Sequence, residues 1–576
     1  MKKYLFLFAA LCMMQLMPLN LSASHPVYTG CLDVSAYSTI TDGNGNVYVT
    51  GAFCSPTVTF GTITLINAAP PNSDMFIVKY DVYGTALWAV HAGGNSSDGG
   101  SSIATDGAGN IYVTGTFGNP SITFFGTTLE TITITNAESG MNDMFIVKYN
   151  ASGQVLWAQN GGGNTNGICV SVDGSGNAYV TGAFYGPFVT FGTVTLTNEG
   201  TSESDMFIVK YDTYGSVQWA ESAGGSDGDY GNSIATDSSG HVYVTGRFTS
   251  SVITFGSTTL TNANPGSRDI FIVKYDAING DVIWAKREGG SSEDHDGGVT
   301  TDASGNVYMT GGFMSPSITF GTITLINAAP FYNDMFIVKY NSAGTVQWAK
   351  RAGGDGQDNG EGIAAHDSDF VYVTGGFSST TITFGNITLT SPKKSGINIF
   401  TVKYDDTGNV LWAKSAGGTG TDIAWSVATD LSGNAYVVGY FSSSTITFGT
   451  ITLTNNTKWN AMFITKYNAN GNVPWAKCVV GGLPLLKNEG INDAPDSEMT
   501  IYPNPTSGKV ILSTANSQPD INSISVINLA GKEVLNLHFP AGSGMVEIDL
   551  SSQPKGLYIL LINVGENFYS RKIILE

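Results

Sequence analysis

The sequence predicts an all-β chain, a seven-bladed β-propeller followed by a small Ig-like β-sandwich. Three observations predict it. The segment FIVKY or a close variant recurs seven times, at Phe76, Phe145, Phe207, Phe271, Phe336, Phe400 and Phe463. Each copy leads to a Trp-Ala pair, at Trp88, Trp157, Trp219, Trp284, Trp348, Trp412 and Trp475, a mean spacing of about 64 residues that lies in the range of repeat architectures. The apolar pieces between them are short, β-branched or aromatic, and punctuated by Gly, Asn and Asp, the pattern of strands joined by tight turns.

Composition narrows the class further. Glycine is abundant (72 of 576 residues) and charged residues make up only 12%, yet 42% of the chain is hydrophobic, which suits many tight turns and excludes disorder. The formal charge is −20 and Lys and Arg form no cluster, so nucleic acid is excluded as a partner. The FIVKY lysines, from Lys79 to Lys466, recur with the repeat and are spread around it.

Taken in order, Met1 to Ala23 opens with Lys2 and Lys3, runs through YLFLFAALCMM and reaches Leu21-Ser22-Ala23, the layout of a secretory signal cleaved after Ala23. Cys12 lies in this run, but Leu11 before it is too large for a lipoprotein cleavage site. No later stretch approaches the roughly 18 apolar residues of a membrane span.

Residues 24–482 form the propeller. One unit, read from Ser102, runs SIATD, GAGN, IYVTGTF, ITFFGTTL, DMFIVKYN, ASG and QVLWAQNGGG, four principal strands plus a hairpin-like insertion. The first turn is DGNGN at Asp42, with related turns at Asp106, Asp173, Asp237, Asp302 and Asp430. Its Asp bonds the backbone ahead and its glycine tolerates a positive φ; one Asp per turn is too few for calcium. In FIVKY both strand faces carry apolar bulk, so each sheet needs a neighbour on both sides, and a radial array supplies them. Trp88 and its equivalents fill the space between sheets, with the lysine ammonium reaching water or an Asp.

An exported chain permits disulfides. Cys169 reads as an unpaired buried thiol. Aligning the first and last repeats brings Cys31 and Cys478 to the seam where the ring closes, so these two are the expected disulfide, with Cys54 as the rival partner for Cys31. The first strand opens near Tyr37 and the last ends near Val479, so closure lacks an exchanged strand unless Val27 to Gly30 adds to the final blade.

The motifs D-x-x-G-N-x-Y-V-T-G, D-x-F-I-V-K-Y and W-A-x-x-x-G-G resemble the bacterial seven-bladed β-propeller repeat family, over residues 27 to 482. The resemblance implies a propeller in an exported or surface protein, and no particular reaction.

Residues 483–498 show no periodic strand pattern and read as a linker. Residues 499–576 contain IYPNPTSGKVIL, ISVINLAGKEV, VEIDLSSQPKGLYILLI and SRKIILE, whose alternation and Gly or Pro breaks predict a small antiparallel sandwich. This tail resembles the type A carboxy-terminal sorting domain of the Bacteroidetes type IX secretion system. The resemblance rests on Tyr502-Pro503-Asn504-Pro505 with Gly508, then Asn528 through Gly531 and Lys532, then Lys555-Gly556-Leu557-Tyr558, and the terminal Lys572. It implies the type IX machinery as a partner, passage through the periplasm, and a product released or held at the outer-membrane surface after the domain is removed.

Chemistry is expected on the loops that follow each Gly-Gly pair. Asp98, Asp229, Asp294, Asp358 and Asp422 recur there, while the third unit has Thr165. They read either as loop caps or as a near-ring of carboxylates that attracts a cation or cationic ligand. Residues that do not repeat are the better ligand-binding candidates: Tyr230, His295, Asp296, Glu361 and Trp425. Tyr230 and Trp425 suit stacking on a sugar or peptide side chain, and Asp296 and Glu361 suit accepting hydrogen bonds.

The six histidines are scattered, and Asp294-His295-Asp296 is the sole local metal-like cluster; adjacent residues on one short loop rarely chelate alone. No metal, cofactor or catalytic set is therefore expected. The leading reading is a monomeric, non-enzymatic binding or adhesion module for an extracellular glycan or protein. The alternative is a propeller hydrolase or lyase acting on extracellular polysaccharide, with carboxylates paired across blades.

Overall fold

A computed structural model describes residues 33–482 and 499–576, apart from 119, 129, 138–139, 201–202, 392–395, 515–520, 529–532, 541–544 and 565–566. The expected secretory signal, Cys31, the strand at Val27 to Gly30, the linker, Gly531 and Lys532 lie outside these residues. Every element assigned is a strand.

Residues 34–479 build seven four-stranded antiparallel units, in each of which a short two-stranded hairpin, such as Thr57–Phe60 with Ile63–Ile66 in the first, is inserted between the second and third strands. The first comprises Val34–Thr41, Val47–Phe53, Asp74–Tyr80 and Ala86–Gly93, and the seventh Asp422–Thr429, Ala435–Phe441, Ala461–Tyr467 and Trp475–Val479. The first strand of each unit packs on its counterparts in both neighbouring units, and the first unit also packs on the seventh. These inner strands therefore encircle the axis of a closed ring. The second and third strands, such as Val47–Phe53 and Asp74–Tyr80, are buried on both faces, which explains why VYVTG and FIVKY lack a polar face.

The repeated Lys and Trp join each sheet to the next. Trp157 Nε1 and Lys148 Nζ both donate to the carbonyl of Thr213, at 3.0 and 3.2 Å, in the outer turn of the following sheet. The same carbonyl position serves Trp219 and Lys210 through Ala277, and Trp348 and Lys339 through Asp406. The turn glycine lies against the indole: Gly84 (φ +77°) sits where a Cβ would come 3.0 Å from the Trp475 ring. The lysine also covers the second-strand tyrosine, as Lys79 does at 4.9 Å from the Tyr48 centroid. Asp42 in turn accepts from Asn44 N, Asn46 N, Asn46 Nδ2 and Tyr48 OH, so the repeated turn Asp is occupied by its own hairpin.

The seam between the seventh and first units repeats these contacts without a connecting peptide. Trp475 Nε1 donates to Val82 O at 3.0 Å, Thr39 N to Ser426 Oγ at 3.2 Å, and Thr41 Oγ1 to Thr429 O at 2.5 Å. Gly481 and Gly482 pair with Val58 and Thr57 of the first unit's hairpin, as Ala92 and Gly93 pair with the hairpin of the second unit. Gly481 N donates to Asp33 Oδ2 at 3.2 Å, the same contact that Gly418 N makes to Asp422 at 2.8 Å.

The expected Cys31–Cys478 disulfide is corrected. Cys478 is a free thiol whose Sγ lies 3.7 Å from Thr454 O in its own sheet's hairpin, whereas Cys54 is disulfide-bonded. Cys478 faces its own sheet's insertion, so Asp33 and Trp475 hold the described seam. Cys169 is also free. Cys478→Ser is expected to leave the melting temperature unchanged within about 1 °C, because a small weakly polar group replaces another and no bond is lost; a fall of several degrees under non-reducing conditions would restore Cys478 to the closure.

Residues 499–576 form a separate strand unit. Met499–Tyr502, Lys509–Thr514 and Met545–Asp549 make one sheet, and Glu533–His538, Ile521–Asn528, Gly556–Val564 and Asn567–Leu575 make the other. Val510, Leu512, Ile524, Val526, Ile548, Leu560 and Ile573 form the core between them. The tail motifs meet here: Ile574 N donates to Asn504 Oδ1 at 2.9 Å, Thr506 N to Ile574 O at 2.8 Å, and Tyr558 OH to Pro554 O at 2.5 Å. The Tyr502 to Pro505 segment is exposed or nearly so, as is Lys555, while Gly508 is buried. Lys572 lies within the last strand.

Candidate functional site

All seven inner strands carry a β-bulge after their third residue. Bulges re-aim side chains and break pairing. Here the break falls where the sheets differ most in sequence, with Tyr37, Ser101, Ile168, Asn232, Glu361 and Trp425 at equivalent bulged positions and Gly297-Gly298 in the fifth sheet. The two preceding positions are small in the first two sheets (Ser35-Ala36, Gly99-Gly100), but include Tyr230 in the fourth and His295-Asp296 in the fifth. At the two preceding positions bulk and charge therefore concentrate on the fourth and fifth sheets, whereas the bulged position itself is bulky in the first, third, sixth and seventh.

The recurrent aspartates begin these strands but do not point a carboxylate ring at the axis. Asp229, Asp294, Asp358 and Asp422 are fully buried, and Asp98 nearly so. Each of the first four accepts from the hydroxyl of a serine in the neighbouring turn: Ser250 at 2.7 Å, Ser315 at 2.9 Å, Ser379 at 2.5 Å and Ser443 at 2.7 Å. Gly290, Gly354 and Gly418 each donate a backbone N–H to their aspartate. Asp98 receives the Gly118 N–H at 3.1 Å. These groups anchor the loops between sheets.

Burial, reinforced by Asp205, Asp269 and Asp334 across the sheet interfaces, pushes Asp229, Asp294 and Asp358 up to about 7. Their folded pKa values exceed the ordinary Asp value of about 3.9. The native state therefore holds more protons between about pH 4 and 7, and stability falls as pH rises through that window. Thermal unfolding is expected at a higher temperature at pH 5 than at pH 8, with a shallower pH slope in Asp358→Asn. A Tm that is flat or rising across this range would contradict these assignments. An uncharged side chain fits this interface, since Asn398 and Thr165 occupy it naturally in the sixth and third sheets.

The non-repeating residues come together across sheets. Tyr230 pairs opposite Arg247, whose guanidinium lies 4.8 Å from the Tyr230 ring centroid, a cation–π contact. Tyr185 OH reaches Tyr230 OH at 3.4 Å. Arg247 Nη1 lies 3.9 Å from Asp296 Oδ1, an ion pair too long for a hydrogen bond. Asn232 Nδ2 donates to the Asp296 carbonyl at 3.5 Å.

Beyond Asp296, the fifth and sixth inner strands approach so closely that a Cβ on Gly297 would come 2.3 Å from Gly360 O, which brings Glu361 beside Asp296. On the far side Trp425 leans on Tyr440, ring centroids 6.3 Å apart. Arg247, His295 and Asp296 are 7%, 6% and 1% exposed, while Tyr230, Glu361 and Trp425 are half-buried. The first three thus form a floor and the second three a rim.

Several floor and rim atoms are buried without a hydrogen-bond partner: both Asp296 carboxylate oxygens, Arg247 Nη1, His295 Nδ1 and Trp425 Nε1. Such groups are costly unless satisfied. Burial raises Asp296 to about 6, with Arg247 opposing. Burial and then Asp296 raise Glu361 to about 8, and burial, aided by Arg268 and Arg247, holds His295 down to about 3. Glu361 therefore holds its proton to higher pH than Asp296, and the two face a guanidinium and a neutral imidazole. Among the described residues no group of three His, Cys, Asp or Glu side chains could hold a metal.

Sequence reasoning found the five non-repeating inner-strand residues but placed them on loops, and it missed Arg247, Tyr185 and Tyr440. The legible signal was the residue between Gly and Phe in V-T-G-x-F: it is Ala, Thr or Gly in five sheets, but Arg247 and Tyr440 in the other two.

Comparison with known proteins decides the chain's parts. Residues 500–576 match the secretion system C-terminal sorting domain, and residues 88–116 and 218–247 match a beta-propeller repeat. The chain carries propeller repeats and a secretion sorting domain. The sorting domain marks the protein for type IX export, to the cell surface or beyond it.

The chain is also similar to an uncharacterised WD repeat-containing protein, L264, of Acanthamoeba polyphaga mimivirus (27% identity, 71% of this chain and 35% of that one). A second relative is the regulatory protein FlaEY of Caulobacter vibrioides (25% identity, 52% and 33%). The chain spans about a third of the length of each of these relatives. Similar solved structures include the quinohemoprotein alcohol dehydrogenase of Comamonas testosteroni (TM-score 0.33, 11% identity, 84% of this chain and 72% of that one). The Synechocystis apocarotenoid oxygenase is another (TM-score 0.35, 9% identity, 78% and 95%).

Deleting residues 499–576 is expected to trap the protein in the periplasm, because the sorting domain is what the export machinery handles. Cell fractionation and surface labelling would check this. Surface display of the truncated chain would show that export does not depend on the domain.

Proposed function

We propose that this exported propeller is a monomeric, non-enzymatic binding or adhesion module that captures an extracellular glycan or protein at its axial recess. One observation carries the reading: the departures from the repeat in the first two strands of the fourth to seventh sheets lie beside one another and leave Asp296, Arg247, His295 and Trp425 with unsatisfied polar atoms. A half-buried rim over a floor of convergent polar groups is how small recognition sites are built.

The test is a binding screen of the full chain against glycans and surface proteins, repeated with Asp296→Asn. Capture that the substitution weakens supports the reading; capture indifferent to it removes the recess from the account.

A second reading, hydrolysis or elimination on an extracellular polysaccharide, draws on one further observation. Asp296 and Glu361 are coupled carboxyls whose environments separate their protonation, to about 6 and about 8, a division found in acid–base pairs. Incubation with a polysaccharide panel separates the two. Chain shortening would sink the binding-only reading, and binding without turnover would sink the enzyme.

A further inference from the structure

We infer that the recess takes the terminal sugar residue of a glycan end-on, with Arg247 and Asp296 sharing two neighbouring hydroxyls and Trp425 forming a stacking wall. This rests on the binding reading above and specifies its ligand. Three features of the site support it.

The first is the balance of hydrogen-bonding capacity. Asp296 offers two acceptor oxygens and Arg247 a donor, all buried and without a hydrogen-bond partner, in an ion pair 3.9 Å apart that is too long for a direct hydrogen bond. A carboxylate-bearing ligand would satisfy Arg247 alone and an ammonium would satisfy Asp296 alone. A hydroxyl both donates and accepts, so a pair on adjacent carbons satisfies both charged groups without adding charge to a buried site.

The second is the aromatic wall. Trp425 is half-buried, braced by Tyr440, and combines an apolar ring with an unpartnered Nε1. A sugar ring presents C–H groups on one face and hydroxyls at its edge, which matches such a wall.

The third is depth. Asp296, on the inner strand of the fifth sheet, and Arg247, on the second strand of the fourth, are 1% and 7% exposed. A polysaccharide lying across the face would meet the loops and not these groups. Only a chain end or a protruding branch reaches groups this deeply set.

The experiment uses the full chain on an array of oligosaccharides, native and after mild periodate, which cleaves between carbons bearing neighbouring hydroxyls. Competition uses the methyl glycosides of mannose, galactose, glucose and fucose. Periodate is expected to abolish binding, and at least one methyl glycoside to compete. Asp296→Asn should weaken binding about 10- to 100-fold, the worth of hydrogen bonds to a charged group. Trp425→Leu, on the rim, should weaken it too with its melting temperature unchanged, while Asp296→Asn should lose stability as Arg247 loses its partner but keep a cooperative unfolding transition that shows the fold is retained.

Glycan binding that survives periodate, that only internal fragments compete for, or that neither variant alters would overturn the end-on assignment. Binding to proteins but to no glycan would also overturn it while leaving the broader reading in place. A wild-type chain that binds nothing would overturn both.

Discussion

Trp475→Ala is expected to destabilise the ring by about 3 kcal/mol or more, the usual range for emptying a packed tryptophan site, and to open it at the seam. Trp475 packs against the hydrophobic cluster that joins the first and seventh sheets, donates to Val82 O, and lies against Gly84. The equivalent Trp284→Ala removes similar contacts between the fourth and fifth sheets, but there the chain itself runs from Glu288 to Asp294 and keeps the neighbours close. The two variants should therefore lose comparable stability in denaturant. Only the seam variant should gain new protease cleavage sites in the first and seventh sheets under native conditions. Identical cleavage maps would mean that the described seam contacts are not what holds the ring shut.

Arg247→Met is the second large effect, and its size should depend on pH. Removing one partner of a buried ion pair leaves the other charge uncompensated and costs about 3–5 kcal/mol. Asp296 already has a folded pKa near 6, raised by burial against the pull of Arg247. Without the guanidinium it moves higher, because burial then acts unopposed. The native state of the variant therefore binds a proton that the unfolded state releases above about pH 4, and its stability falls as pH rises through the neutral range. The defect should be small at pH 5, where Asp296 is neutral, and near its full size at pH 8. Chemical denaturation at the two pH values measures it, and a defect independent of pH would show that Asp296 does not depend on Arg247.

The architecture was legible because its signals are local and repeated. FIVKY, V-Y-V-T-G and the D-x-x-G-N turn each specify a strand or hairpin within a few residues. Seven copies average away the ambiguity of any one. Even the tryptophan's role followed from a strand that needed cover on both faces. The tail motifs were legible for the same reason: Asn504 and Tyr558 act on backbone groups within one small domain.

The seam and the site were less legible. Cys31 and Cys478 align by position, but alignment does not say which way a side chain points, and Cys478 faces its own hairpin at Thr454. Asp33, one residue before the aligned position, supplies the carboxylate that meets Gly481, a shift that spacing alone conceals. Arg247 sits within a strand that otherwise repeats, so it resembled a substitution in a structural position. Its meaning came from Tyr230 opposite it and Asp296 on the next sheet.

The sequence by itself determined the strands, their order, the repeat that makes sheets stack, and the export address, because each depends on residues close together in the chain or on a pattern copied many times. The tertiary structure alone decided that Tyr230, Arg247, Asp296, Glu361 and Trp425, spread over the fourth to seventh sheets, converge beside one axis. The physical reason is that ring closure brings the bulged inner strands together. Which side chains then share a low-dielectric recess, and which are left without partners, depends on contacts between segments roughly a repeat length apart.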